Sequence, residues 1–346
     1  MLEKLYAMNL PCNASAKTLY IAIGCGIVAA LFIASLNSGA PEFYPTWHVS
    51  DFDFLPDADA RPLSDDGPFI PDITDDTIVD ATPNDYPVHF VRFYANPPGV
   101  NDSLCWIHCL SLLSVMMYIQ PQHIYLHTNY PDFWPFDPCN TLISNWSTVQ
   151  VVAARRRYVI GRFGLSREER AIRHEADIGK LYALVKHGGI ALDFDVYMMP
   201  NITNLLSHLQ TYECIASQEN LDFMNIGFLA CRKGAAYVRD FLMEYIKDYR
   251  SYAWVHNSGF VPMQLYKTKH NATVYMDDMI STNPNWYGRE DMSKAVGRVN
   301  WRIKPAYHAF FTDCSVTASA LNNANTSLLQ LFSSIVNDAA GRRLTG

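Results

Sequence analysis

Between His174 and Pro200 the chain reads HEADIGKLYALVKHGGIALDFDVYMMP, and this run restricts the possible folds more than any other. Ile178, Leu181, Tyr182 and Val185 recur at helical spacing, which predicts a helix over 175–186. Gly188-Gly189 ends it, because glycine tolerates the left-handed backbone of a helix C-cap. Ile190-Ala191-Leu192 follows as a short buried strand. Asp193 and Asp195 stand at its end, on one side if the alternation of a strand continues. Two carboxylates aimed one way at a strand's carboxyl edge invite a hard divalent cation, Mn²⁺ or Mg²⁺. That edge is also where open α/β sheets bind their ligands.

The surrounding pattern supports an α/β sheet with crossover helices. Val88–Tyr94, His123–Thr128 and Thr148–Ala154 read as strands, and the long apolar stretch Leu104–Tyr118 has helical spacing. Arg155-Arg156-Arg157, with Arg162 and Arg167, forms a basic loop that reads as a solvated face or as a neighbour of a diphosphate. A second Asp-X-Asp triplet, Asp51-Phe52-Asp53, lacks a buried strand to hold it.

Before the folded region the chain divides into three parts: a short tail over 1–17, an uncharged run from Thr18 to Leu36 and an extended acidic, proline-rich stem over 37–87. The run has the length of a bilayer span, about 20 residues. Lys4 and Lys17 precede it and no Lys or Arg follows until Arg61, which predicts a cytoplasmic N-terminus and a lumenal remainder. A cleaved signal peptide, cut after Ala40, is the alternative. Asn-X-Ser/Thr triplets at Asn13, Asn101, Asn145, Asn201, Asn271 and Asn325 would leave all but Asn13 in the lumen. Of the 8 cysteines, Cys105, Cys109, Cys139, Cys214, Cys231 and Cys314 fall there too, an even set suited to an oxidising compartment, with connectivity open. Zinc at Cys105 and Cys109 lacks a matching Cys/His pair. A net charge of −7 makes the chain a poor non-specific nucleic-acid binder, so no nucleic-acid partner is expected.

The string Ala-Asp, helix, Gly-Gly-Ile-X-Leu-Asp-X-Asp-Val resembles the DXD-containing glycosyltransferase family 32 type. That group includes yeast-type initiating α-1,6-mannosyltransferases and animal α-1,4-galactosyl- and α-1,4-N-acetylglucosaminyltransferases. The likeness extends loosely from His89 to Trp286: His89–Phe93 resembles the opening strand, Asn225-Ile226-Gly227 the segment after the motif, and Trp254–Pro262 a later acceptor-side loop. The resemblance implies a GT-A catalytic domain over 88–346, behind a type II Golgi-membrane anchor and stem. It implies retaining transfer of a hexose from a nucleotide-sugar, a UDP-sugar before GDP-mannose, to a glycan, glycoprotein or glycolipid acceptor. Carried over by position, Asp193 and Asp195 would be catalytic and bind metal, with His308, which ends the run Trp301–His308 and resembles a late His after a short strand, as a third ligand or a diphosphate contact. Asp177, Lys180, Asp193 and Asn225 would contact the donor, and Glu219 would join the catalytic set. Lys180 stands where the family has Arg, so it keeps the charge without the bidentate fork. His174 reads as structural.

Two other readings use the same residues. In a haloacid-dehalogenase-type phosphatase Asp193 would be the nucleophile and Asp195 the acid/base, with Asp277-Asp278 as the late acidic pair. A catalytically inactive, membrane-tethered sugar-binding protein would keep the motif without turnover.

Overall fold

Short apolar strands alternate with helices, and the strands are apolar on both faces, as a sheet covered on both sides requires. The computed structural model describes residues 78–82, 85–154, 169–250, 253, 255–294, 299–310 and 314–345. The tail, the run at 18–36, nearly all of the 37–87 stem and the arginine loop lie outside them. Among the described residues no helix is long and apolar enough to cross a membrane.

The strands are β1 (Val88–Val91), β2 (Ile124–Thr128), β3 (Val149–Ala153), β4 (Gly189–Leu192), β5 (Val196–Met198), β6 (Cys214–Gln218), β7 (Met224–Cys231), β8 (Val274–Asp277) and β9 (Ala306–His308). The helices are α1 (Trp106–Tyr118), α2 (Glu169–His187), α3 (Ile202–Leu206), α4 (Ala236–Lys247), α5 (Val261–Leu265) and α6 (Ser327–Thr345). Seven strands form one sheet in the order β3-β2-β1-β4-β7-β6-β8. The first four are mutually parallel, β7 runs antiparallel to both neighbours, and β8 is parallel to β6. The expected α/β architecture is therefore a mixed, mostly parallel sheet.

Strand alternation sorts the core into two layers. Val88, Phe90, Ile124, Leu126, Ile190 and Leu192 face the layer that holds α1 and α6. Tyr125, Val152, Ala191 and Leu229 face the layer that holds α2 and α4. Helix α1 is buried on nearly every side, which its near-continuous apolar sequence permits. Helix α2 starts earlier than its apolar spacing predicts, at Glu169, and ends where expected. Gly188 follows it at φ 69°, and a Cβ there would meet the Lys233 amide nitrogen, so only glycine fits. The end of the expected stem packs on this domain: Ile78 is buried, and Asp80 pairs with His187 and Lys233.

All six cysteines of the expected lumenal set are paired: Cys105–Cys314, Cys109–Cys139 and Cys214–Cys231. The last bridges directly opposed residues of β6 and β7.

A neutral histidine pair is built into the sheet. His89 on β1 and His127 on β2 are fully buried, with His89 Nδ1 3.0 Å from His127 Nε2 and His89 Nε2 2.9 Å from the Gly188 carbonyl. The carbonyl only accepts, so His89 Nε2 carries a proton and His89 Nδ1 accepts from His127. Burial pushes His89 down from 6.5 to about 3, and burial together with the neighbouring His89 and His187 rings pushes His127 well below 6.5. The unfolded chain therefore binds more protons than the folded one below pH 6.5. Stability conferred by the neutral pair is fully present above that pH and is lost as pH falls toward 3. Urea midpoints measured from pH 7.5 to 4.5 should fall more steeply for wild type than for His127→Gln; equal slopes would contradict this.

Candidate metal centre

The site begins where β4 ends. Asp193, Phe194 and Asp195 do not continue the strand as the alternation argument requires. They form a tight turn into β5, closed by the Val196 N–H donating to the Asp193 carbonyl at 3.2 Å. The turn, not the period of two, brings the carboxylates together. Its other anchors are the Asp193 N–H on the Gly227 carbonyl and the Ala309 N–H on the Asp195 carbonyl, each at 2.9 Å. The Phe194 ring stacks on Phe90 of β1 with centroids 4.5 Å apart, which pins the middle of the turn to the core.

A two-stranded ribbon supplies the third group. β5 pairs antiparallel with β9, and Val196 lies opposite His308. Two serines of α1 hold β5: the Ser111 hydroxyl donates to the Val196 carbonyl at 2.6 Å, and the Ser114 hydroxyl accepts from the Met198 N–H at 2.9 Å. The pairing places His308 Nε2 3.2 Å from Asp195 Oδ1. One ligand-type atom each from Asp193, Asp195 and His308 lies within 4.8 Å of the others. The His308 ring occupies space that Gly227 leaves open, since a Cβ on Gly227 would sit 2.5 Å from His308 Cε1. Carboxylate and imidazole donors fit Mn²⁺ well and Mg²⁺ through the carboxylates.

The electrostatics favour a cation. Lys180 of α2 is buried, with its Nζ 2.9 Å from Asp177 Oδ1, 2.7 Å from Asp193 Oδ1 and 3.3 Å from the Ile226 carbonyl. Burial opposes its charge, but the two carboxylates outweigh burial and raise its pKa above the ordinary lysine value. Although 40% of the Asp193 side chain is exposed, the protein around its carboxyl displaces enough water to raise its pKa; Lys180 opposes this, and Asp195 and Asp177 reinforce it. Burial also works against a charged His308, yet Asp195 beside it raises its pKa overall. Three acidic groups thus meet one ammonium and one imidazole.

The remaining expected residues fall in two places. Asp177 is buried with Lys180 and receives a hydrogen bond from the Tyr245 hydroxyl, at 3.3 Å on Oδ2. Glu219 and Asn225 flank the His308 side. Asn225 Nδ2 donates to Glu219 Oε2 at 3.0 Å, and Asn225 Oδ1 accepts from the Gly227 N–H at 2.8 Å. A register shift between β6 and β7 opens the ladder at this level. Burial raises the Glu219 carboxyl, against hydrogen bonds from Asn225 and from the Trp286 N–H and the pull of His308. His174 is buried and bonds the Tyr249 hydroxyl at 2.8 Å.

Several features were not visible in the sequence: the β5–β9 ribbon, Ser111 and Ser114 beneath it, and Gly227 as the seat of His308. The expected acceptor-side loop is helical, with a π-turn over His256–Phe260 running into α5. Asp277 does not join Asp193. It lies three strands along the sheet from β4 and accepts from the Met279 and Ile280 N–H groups at 3.0 and 2.8 Å. His108 lies beside Cys105 and Cys314, but those sulfurs are bonded to each other, whereas metal ligation needs thiolates.

No protein-family model matches the chain, and no curated protein matches it. Among solved structures it is similar to the PaToxG glycosyltransferase, at 13% identity and TM-score 0.35 over 54% of this chain and 69% of that one. It is similar to the inositol-1-phosphate CTP transferase from T. maritima, at 10% identity and TM-score 0.37 over 73% and 96%. It is also similar to 4-diphosphocytidyl-2C-methyl-D-erythritol synthase from Anaerococcus prevotii, at 10% identity and TM-score 0.33 over 56% and 87%.

Removing the Lys180 charge leaves two carboxylates facing each other. Lys180→Met should cost about 3 kcal/mol of stability, the low end for a broken buried pair because Asp193 remains 40% exposed. Lys180→Arg should recover most of it. Chemical denaturation checks this, and a Lys180→Met protein of wild-type stability would show that the clamp contributes nothing.

Proposed function

We propose that this chain is a metal-dependent, retaining GT-A glycosyltransferase of the family 32 type. In this reading it moves a hexose from a nucleotide-sugar, a UDP-sugar before GDP-mannose, to a glycan, glycoprotein or glycolipid acceptor. The observation that carries the reading is the convergence of Asp193, Asp195 and His308 at the carboxyl end of β4, beside parallel β1. That edge is where open α/β sheets take their ligands.

Asp195 and His308 would hold the ion, with Asp193 completing the protein's share. A bound Mn²⁺ or Mg²⁺ supplies Lewis-acid neutralisation of a departing diphosphate. Lys180 and Asp177 act here on Asp193, fixing its carboxylate from behind. Glu219 and Asn225 line the opposite flank, where Glu219 can accept a sugar hydroxyl. The retaining course and the order of donors are taken from the family resemblance. A phosphatase has less support, because Asp277 is bound to its own turn.

Purified full-length protein in detergent, assayed with a panel of nucleotide-sugars and Mn²⁺, tests this. Asp195→Asn should lower nucleotide release by about 10²–10³-fold or more. His308→Ala should raise the Mn²⁺ concentration for half activity at least about 10-fold. Release of phosphate from simple phosphomonoesters, with every nucleotide-sugar untouched, would replace this reading with the phosphatase. Hydrolysis of GDP-mannose alone would reverse the donor order.

The same reading puts the domain in the Golgi lumen, behind a single span at 18–36. Two observations support an oxidising, glycosylating compartment: the three disulfides, and the exposure of Asn101, Asn145, Asn201, Asn271 and Asn325. In sealed microsomes the domain should resist protease until detergent is added, and N-glycosidase should increase its gel mobility. Digestion without detergent would refute the orientation.

A further inference from the structure

One continuous contact path leaves the candidate metal centre and reaches the surface. His308, beside Asp195, stacks on Phe310 with centroids 4.0 Å apart. Phe310 in turn meets Trp286 edge-to-face at 5.9 Å. Trp286 is 47% exposed, and the next residue, Tyr287, is 67% exposed. The Arg289 guanidinium lies 3.9 Å from the centroid of the indole, and its NH1 donates to the Trp286 carbonyl at 2.5 Å. The backbone of the same tryptophan donates to Glu219, whose side chain is bonded to Asn225 on the other flank of His308.

Three observations set this patch apart from an ordinary exposed aromatic. The indole is fixed on two sides, by Phe310 and by Arg289, although nearly half of it faces solvent. Phe310 holds a φ of 52°, a left-handed backbone that a bulky side chain rarely adopts, and such strain gathers at sites where geometry matters. The Trp286 backbone N–H also reaches Glu219, a carboxylate that flanks the metal group. A rigid, half-exposed indole beside a carboxylate and a guanidinium matches a pyranose. The C–H face of the sugar covers apolar ring surface, and its hydroxyls find an acceptor in Glu219 and a donor in Arg289.

We infer that Trp286, held by Arg289 and Phe310, is the platform on which the acceptor sugar ring lies, with Glu219 accepting one of its hydroxyls. This rests on the glycosyltransferase reading above and extends it from the donor side to the acceptor side. Trp286 is then a specificity-determining residue and takes no part in holding the ion or the diphosphate.

Saturation-transfer NMR on the full-length protein, with methyl α-mannoside, methyl β-galactoside and methyl β-N-acetylglucosaminide as probes, tests the platform without requiring turnover. At least one glycoside should receive saturation from wild type. Its affinity should fall about 10-fold or more in Trp286→Ala and return in Trp286→Tyr, which keeps an aromatic face. No signal from wild type, or an unchanged signal in Trp286→Ala, overturns the platform. Calorimetry of the same proteins with Mn²⁺ and UDP, and with Mn²⁺ and GDP, reports on the donor side. Wild type that binds glycosides but neither nucleotide sinks the glycosyltransferase reading and leaves a sugar-binding Trp286. Wild type that binds a nucleotide, with Trp286→Ala unchanged toward glycosides, sinks only the platform.

Discussion

A buried ammonium stays charged only when its surroundings replace water, and Lys180 meets that requirement with Asp177, Asp193 and the Ile226 carbonyl at once. The three partners come from α2, from the turn after β4, and from β7. Their meeting at one nitrogen fixes the helix against the sheet at the level where the acidic turn begins. It also fixes what Asp193 can do. One of its oxygens is committed to Lys180, and its side chain remains partly open toward Asp195 and His308. Charge that would otherwise repel is held in place, which gives the candidate site its excess of acid at a defined point.

The second constraint is the β5–β9 ribbon. It adds nothing to the main sheet, but its register sets His308 opposite Val196 and so beside Asp195. Its stability comes from below, through the Ser111 and Ser114 hydroxyls of α1, and from the side, through the backbone bond between His308 and Ile280. Gly227 completes the arrangement by having no Cβ where the imidazole lies. A residue far along the chain thus reaches the turn through backbone pairing, and packing on Phe310 holds its ring.

Much of this was legible from residues 174–200 alone. Helical spacing, a glycine that must be left-handed and a short buried strand are local properties, and local properties survive folding. The even number of cysteines after Val88 was legible too, since a count needs no contact, whereas their connectivity was not. What could not be read depends on contacts distant in sequence. The strand period suggested that Asp193 and Asp195 alternate to one side, but a turn held by the Gly227 and Ala309 backbones brings them together instead. The family resemblance points Lys180 at the donor, and its ion pairs with Asp177 and Asp193 are contacts of the folded chain that the sequence does not display. Trp254–Pro262 resembles an acceptor-side loop, yet its described residues wind into π and α turns packed on β7 and α4.

The claim on which the rest stands is that Asp195 and His308 hold one divalent ion between them. Crystals of the full-length protein grown with Mn²⁺ and UDP, measured at the manganese absorption edge, test it directly. The account predicts an anomalous peak within coordination distance of both the Asp195 carboxylate and His308 Nε2, with the Lys180 ion pair to Asp193 still in place. A manganese peak elsewhere in the domain, with His308 still bonded to Asp195 alone, would contradict it.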